Sequence, residues 1–179
     1  KKRLEGVTIA QVDENRRPIE ETIHYIPCDT LLLSVGLIPE NELSKSAGIT
    51  LDRGTGGPVV NEANETDIEG IFACGNVLHV HDVVDYVTYE SRRAGSNAAK
   101  YVKNELESDG RIIETKPGDG IGYIVPQKIN VEKLEGSYLD LFMRVRDVYK
   151  NATLVVKLDG IKIKEIKKWA EMNERLPSP

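Results

Sequence analysis

With 179 residues, 40% hydrophobic and 30% charged, the chain can bury one medium core or two small ones and has the balance of a soluble globular protein. A net charge of -5 and a pI near 5.3 argue against nucleic acid as the main partner, because phosphate binding needs a clustered basic surface. The longest apolar run, Thr30 to Val35, is far short of a membrane span, and no signal peptide is recognisable.

Val7, Ile9 and Val12 roughly alternate with polar residues, the polar stretch 13–18 follows, and Ile19, Ile23 and Tyr25 resume at even spacing. Period-two patterning around a turn-rich break predicts a β-hairpin over 7–26. Thr30 to Gly36 is a continuous apolar run ending at Gly, as expected of a strand buried on both faces of an α/β sheet. Pro39 then opens a short helix, Glu40 to Ala47, which Gly48 stops. Arg53 to Pro58 (RGTGGP) resembles a phosphate cradle only superficially. Neither a Lys-Ser/Thr pair nor a helical pattern follows it, so it reads as a plain turn. Short strands are expected at Pro58–Val60 and at Ile71–Ala73, the second ending at Gly75-Asn76.

From Asp85 to Leu106 the period becomes helical, with Ala94, Ala98 and Tyr101 in one row and Gly95, Ala99, Val102 and Leu106 in its neighbour. Small residues on such a face let a helix lie close to a sheet. The stretch from Ser108 to Gly122 carries four glycines and a proline and reads as a linker. Four strand candidates follow: Ile121–Ile129, Tyr138–Val145, Thr153–Leu158 and Ile161–Trp169. Asp159-Gly160 is a strong two-residue hairpin signal, since both residues tolerate positive φ. The Lys-rich stretch from Lys157 to Lys168 reads as the solvated face of a strand. Cys28 and Cys74 are 46 residues apart with no CxxC pair, which suits a reducing cytosol and offers neither a zinc site nor a local disulfide. Both read as core residues.

The most informative segment is Thr66-Asp67-Ile68-Glu69-Gly70-Ile71-Phe72-Ala73-Cys74-Gly75-Asn76. It resembles the second FAD-binding signature of the FAD-dependent pyridine nucleotide-disulfide oxidoreductase family, with Asn76 in place of the usual Asp. Cys28 to Asn41 resembles the family's passage from its nicotinamide domain back to its flavin domain. The resemblance covers about Leu4 to Leu106, and its two motifs stand in the family's order about 30 residues apart. It implies that Gly75 and Asn76 touch the ribityl chain of FAD. A Cβ at 75 would crowd such a ligand, and the Asn76 amide oxygen can accept a hydrogen bond without adding charge. The resemblance also points the N-terminus of the following helix at the flavin ring, where free amides stabilise negative charge. Val87, Thr88 and Tyr89 are expected in its first turn, with Thr88 and Tyr89 nearest the ring.

The connection from Val77 to Asp85 holds His79 and His81, with Asp82 adjacent. Their roles stay open between proton transfer beside a flavin and a structural or cofactor-shell part. No metal site is expected, because the segment alone supplies too few ligands. His-Val-His-Asp resembles the subgroup of flavoprotein subunits of hydrogen cyanide synthase, opine oxidase and sarcosine oxidase.

The family's Gly-x-Gly-x-x-Gly fingerprints for the FAD pyrophosphate and for the nicotinamide cofactor do not occur in the chain. The resemblance therefore implies the C-terminal part of an FAD-dependent, NAD(P)-linked oxidoreductase, with half an FAD site and weak or no FAD binding on its own. Its implied partners are the missing N-terminal FAD- and NAD(P)-binding segments, together with a partner redox subunit or a second copy. The alternative is a non-catalytic subunit-docking module descended from such a flavoprotein. The expected fold class is α/β plus small all-β: a partial FAD/NAD(P)-binding Rossmann-like domain followed by a small antiparallel β-sandwich. Residues 1–38 would end the NAD(P)-binding domain and cross over, 39–108 would form the C-terminal half of the FAD-binding domain, and 117–179 the small antiparallel β domain.

Overall fold

The computed structural model describes residues 3–34, 36–106, 110–134 and 138–167. Contacts divide the chain into two units, Lys1–Gly36 and Leu37–Pro179. In the first, β1 (Val7–Ile9) pairs antiparallel with β2 (His24–Ile26), in the register Val7 opposite Ile26. This is the hairpin that the period-two pattern predicts. Its connection is shaped by Asp13, whose carboxylate accepts the amides of Asn15 and Arg17, while Arg16 takes a φ of 60°. The Tyr25 ring lies over Gly6, and its hydroxyl donates to the Glu5 carbonyl.

The buried strand expected at Thr30 to Gly36 is not formed. Residues 30–34 carry no strand, and Leu32 and Leu33 are 90% and 75% exposed. A strand sheathed on both faces needs a neighbour on each edge, and among the described residues no backbone pairing reaches this segment. Its apolar composition is thus left without a sheet to enter.

The second unit opens with α1 (Glu42–Ser46), shorter than expected, and Gly48 follows it at a φ of 81°. Isolated bridges Leu51–Pro58, Val60–Thr66 and Glu65–Phe72 lie where the two short strands are expected. The chain then makes a single 3-10 turn at Gly75–Val77 and enters α2 (Val84–Val102). Ala94 is buried on α2, so the row through Ala94, Ala98 and Tyr101 faces inward. In the neighbouring row, Gly95, Ala99 and Val102 are exposed, so only one of the two expected rows packs.

Beyond α2 the strands form two-stranded antiparallel ribbons. β3 (Ile112–Glu114) pairs with β5 (Lys128–Asn130), and β4 (Ile121–Val125) pairs with β6 (Phe142–Val145). The single strand expected over Ile121–Ile129 is broken at Pro126, which has no amide to donate, and its halves join different ribbons. β7 (Thr153–Leu158) and β8 (Ile161–Lys167) close on Asp159 and Gly160, at φ of 49° and 82°. Trp169 and Lys168 lie outside the described residues. The chain is thus mixed α/β with small antiparallel sheets, and among the described residues no strand links one ribbon to another. No helix among them is long and apolar enough to cross a membrane.

The core that matters here joins distant segments. Val60, Ala73, Leu78 and Val125 pack together, with Tyr123 and Phe142 against them. The Val60 carbonyl accepts the amides of Gln127 and Lys128, and the Val60 amide donates to the Gln127 side chain. The ribbons β3–β5 and β4–β6 are thereby fastened to the segment that precedes the Gly75 turn.

Candidate functional site

Three buried polar side chains build the loop from Gly75 to His81. Asn41, just before α1, donates through Nδ2 to the carbonyls of Gly56 and Val77, at 3.0 and 2.8 Å. Asn64 donates to the Ala73 carbonyl at 3.0 Å and accepts from Arg93 Nε of α2 at 2.6 Å. Glu90, also on α2 and 0% exposed, takes the centre. Its carboxylate accepts the Gly75 amide at 2.5 Å and meets His79 Nε2 and His81 Nε2, each at 3.1 Å.

Both expected histidines are therefore brought to one place. Their side chains are only 4% and 0% exposed, and their ring centres lie 4.1 Å apart. Phe142 of β6 stands 5.5 Å from one ring and 5.6 Å from the other, and Tyr123 of β4 stands 5.9 Å from His79. Arg144 holds this aromatic wall in place, reaching the Tyr123 hydroxyl, the Val80 carbonyl and the Asp82 carboxylate.

The motif and the histidine spacing do not single out Glu90, yet a signal for it exists. It stands four positions before Ala94 and so extends the inward row of α2 by one turn. A carboxylate on an apolar helix row is an informative anomaly, because Glu is almost never fully buried unless paired. Burial pushes its acidity weaker, but the hydrogen bonds from His79 and His81, joined by the attraction of their rings wherever these are protonated, outweigh this and hold the carboxyl at about 2. A group with a depressed folded pKa adds stability above its unfolded value of 4.5, and that stability drains away as pH falls toward 2. We expect on the order of 3 kcal/mol to be lost over this window. Urea unfolding of wild type and Glu90→Gln at stepped pH checks it: the wild-type midpoint should fall more steeply between pH 4.5 and 2.

Gly75 is buried, with a φ of 69°, and a Cβ there would lie 3.4 Å from Val87 on α2. It therefore faces the start of the long helix. Asn76 is exposed, and its Oδ1 accepts the His81 amide at 3.1 Å. α2 begins at Val84, with Val83 before it and no side chain capping its first amides. Thr88 and Tyr89 thus belong to the second turn, one turn later than expected, because helical geometry already starts at Val84. Both are exposed. The Thr88 hydroxyl bonds back to the Val84 carbonyl, and the Tyr89 hydroxyl donates to Asp140 at 2.8 Å, which raises its pKa.

The RGTGGP loop has no free cradle. Asp52 Oδ2 takes the amides of Gly54 and Thr55, the Asp52 carbonyl takes that of Gly56, and Thr55 Oγ1 takes that of Gly57. Gly57 instead lies directly under the backbone of Val77 and Leu78. Cys28 and Cys74 are both free and only half-buried.

Residues 3–115 match the sequence profile of the family described as pyridine nucleotide-disulphide oxidoreductase. The chain belongs to this family. The match takes in the whole Gly75–His81 loop and α2, while the ribbon β4–β6 that walls the histidines lies beyond it. Among curated members, ferredoxin–NADP reductase 1 of Lysinibacillus sphaericus (strain C3-41) is 28% identical over 99 residues, covering 52% of this chain and 28% of that protein. Thioredoxin reductase of Listeria monocytogenes serovar 1/2a (strain ATCC BAA-679 / EGD-e) is 36% identical over 85 residues, covering 46% of this chain and 26% of that protein. The chain thus spans about a quarter of the length of these relatives. No solved structure matches it significantly.

Proposed function

We propose that the chain is the C-terminal part of an FAD-dependent, NAD(P)-linked oxidoreductase that passes hydride through a flavin. The observation that carries this reading is the corner at Gly75, held at positive φ against the first turns of an uncapped, 19-residue helix. Residues 39–108 would be half of an FAD site, with 1–38 ending the NAD(P)-binding domain. Family membership supports the cofactors, as do the names of the two relatives, a ferredoxin–NADP reductase and a thioredoxin reductase.

The residues present suit such a group. Asn76 is exposed at the corner, and its amide oxygen, already accepting the His81 amide, has a second lone pair for a ribityl hydroxyl. The start of α2, which the Val83 side chain does not cap, provides a positive end for the flavin ring. Thr88 and Tyr89 would border the ring one turn further along. When bound, the flavin supplies acceptance and donation of hydride. This chain's own residues bind and orient it and shield its neighbours from water.

His79 and His81 face Glu90 and not the exposed corner, which favours a part in the cofactor's shell over direct proton transfer to substrate. The sequence His-Val-His-Asp favours the subgroup of the hydrogen cyanide synthase, opine oxidase and sarcosine oxidase flavoprotein subunits. The ribbons after α2 would build the small antiparallel β-sandwich over 117–179. Exposed Leu37, Ile38, Leu43, Val83 and Val84 suit coverage by the N-terminal FAD- and NAD(P)-binding segments, beside a partner redox subunit or second copy.

The test is to purify the full-length protein containing this chain and record its visible absorbance. A bound flavin spectrum that NAD(P)H bleaches is the expected result, with little or no flavin held by residues 1–179 alone. A colourless full-length protein would favour the non-catalytic docking module instead.

A further inference from the structure

The carboxylate of Glu90 faces three hydrogen-bonding groups: the Gly75 amide, His79 Nε2 and His81 Nε2. An ionised carboxylate accepts and never donates. Each imidazole must therefore present its Nε2–H, and a neutral ring is fixed as the Nε2–H tautomer. His81 Nδ1 agrees with this, since it is enclosed and has no hydrogen-bond partner. As a bare lone pair it costs less than a buried N–H without an acceptor would.

The same atom argues against a cation. One ring nitrogen of each histidine and a Glu90 oxygen lie within 4.8 Å of one another, a set able to hold a metal. A metal on His81 Nε2 would force the proton onto Nδ1, where nothing receives it, whereas metal-binding histidines normally donate that proton to an outer partner.

From this geometry we infer that Glu90 is a positioning residue: it sets the tautomers of His79 and His81 and fixes the Gly75–His81 loop in the form that receives the flavin. The inference rests on the flavin reading above. The carboxylate itself lies behind the corner, and its effect travels along the chain. It pins Gly75 from one side and His81 from the other, and the His81 amide in turn orients the Asn76 side chain at 3.1 Å. The aromatic wall of Tyr123 and Phe142 covers the rings.

Glu90→Gln separates the roles of the two oxygens. Oε2 receives both the Gly75 amide and His81, whereas Oε1 meets His79 alone. A glutamine keeps its oxygen where two donors converge and turns its NH2 toward His79. His79 must then accept through Nε2 and carry its proton on Nδ1, while His81 stays unchanged.

Long-range proton–nitrogen NMR of the imidazoles in the 179-residue chain reads this directly, with exposed His24 as the internal reference. The expected result is Nε2–H on both rings in wild type, and a switch of His79 alone in Glu90→Gln. In the full-length flavoprotein, Glu90→Ala, which takes the acceptor away from both Gly75 and His81, should weaken FAD binding at least tenfold, and Glu90→Gln, which keeps that acceptor, should weaken it less. An Nδ1–H tautomer on either ring of the wild type overturns the proposal. So does stoichiometric Co2+ binding with ligand-field bands, and so does FAD affinity within twofold of wild type in Glu90→Ala. If the wild-type full-length protein holds no flavin, the flavin reading fails and takes the cofactor half of this inference with it. The NMR result then still decides whether Glu90 sets the loop.

Discussion

Replacing Gly57 by alanine is expected to destabilise the chain by more than about 3 kcal/mol, an unusually large effect for adding one methyl group. The added Cβ would sit 1.9 Å from the Leu78 carbonyl oxygen, 2.5 Å from its carbon and 2.7 Å from the Val77 oxygen. All three are backbone atoms, so no side-chain rotation relieves the clash. Retreat is blocked too. Leu78 is fully buried in the core, and the Val77 carbonyl is held by Asn41. The loop must move, and His79 and His81 move with it. Urea unfolding of the 179-residue chain measures the loss, and imidazole NMR should show both rings displaced. Gly118→Ala is the matched control: a Cβ there meets nothing within 4 Å, and its midpoint should stay within about 0.5 kcal/mol of wild type. A Gly57→Ala protein as stable as that control would mean that the RGTGGP turn does not support the loop.

Gly75→Val should have the largest functional effect. At a φ of 69° a β-branched residue is strained by about 1–3 kcal/mol before any contact is counted. Its branches would also press on Val87, already 3.4 Å from the position of a Cβ. In the full-length protein we expect flavin retention to be abolished, read as loss of visible absorbance after gel filtration. Gly75→Ala has the same backbone strain with less bulk and should fall between. A Gly75→Val protein that stays yellow would remove the corner from the cofactor site.

Which parts of this architecture can be read along the chain follows from how local their causes are. The helix α2 is legible because its period and its small residues are written in consecutive turns. The hairpins at 7–26 and at Asp159-Gly160 are legible because turn chemistry sits between the strands it joins. Thr30 to Gly36 misleads for the opposite reason. Its composition describes a strand inside a sheet, but a sheet is a property of neighbours, and none pairs with it among the described residues. The site divides in the same way. Gly75, Asn76, His79 and His81 stand out as a motif and a spacing. Glu90 does not, because a glutamate on a helix usually faces water, and only the loop folded over it makes it a hub. The helical period marks the start of α2 to within a residue, at Asp85 against Val84, but Thr88 and Tyr89 fall in its second turn and not its first, because Val83 and Val84 carry no capping signal to fix the count.

The ribbon of Tyr123 and Phe142 has a consequence for anyone trimming this protein. Family likeness stops at residue 115, so a boundary drawn by homology would fall just before these two rings. A chain cut there would keep every residue of the Gly75–His81 motif and lose its roof. Water would reach both imidazoles and the carboxylate they shelter, so the smallest piece that preserves the motif's chemistry is longer than the piece its ancestry marks out.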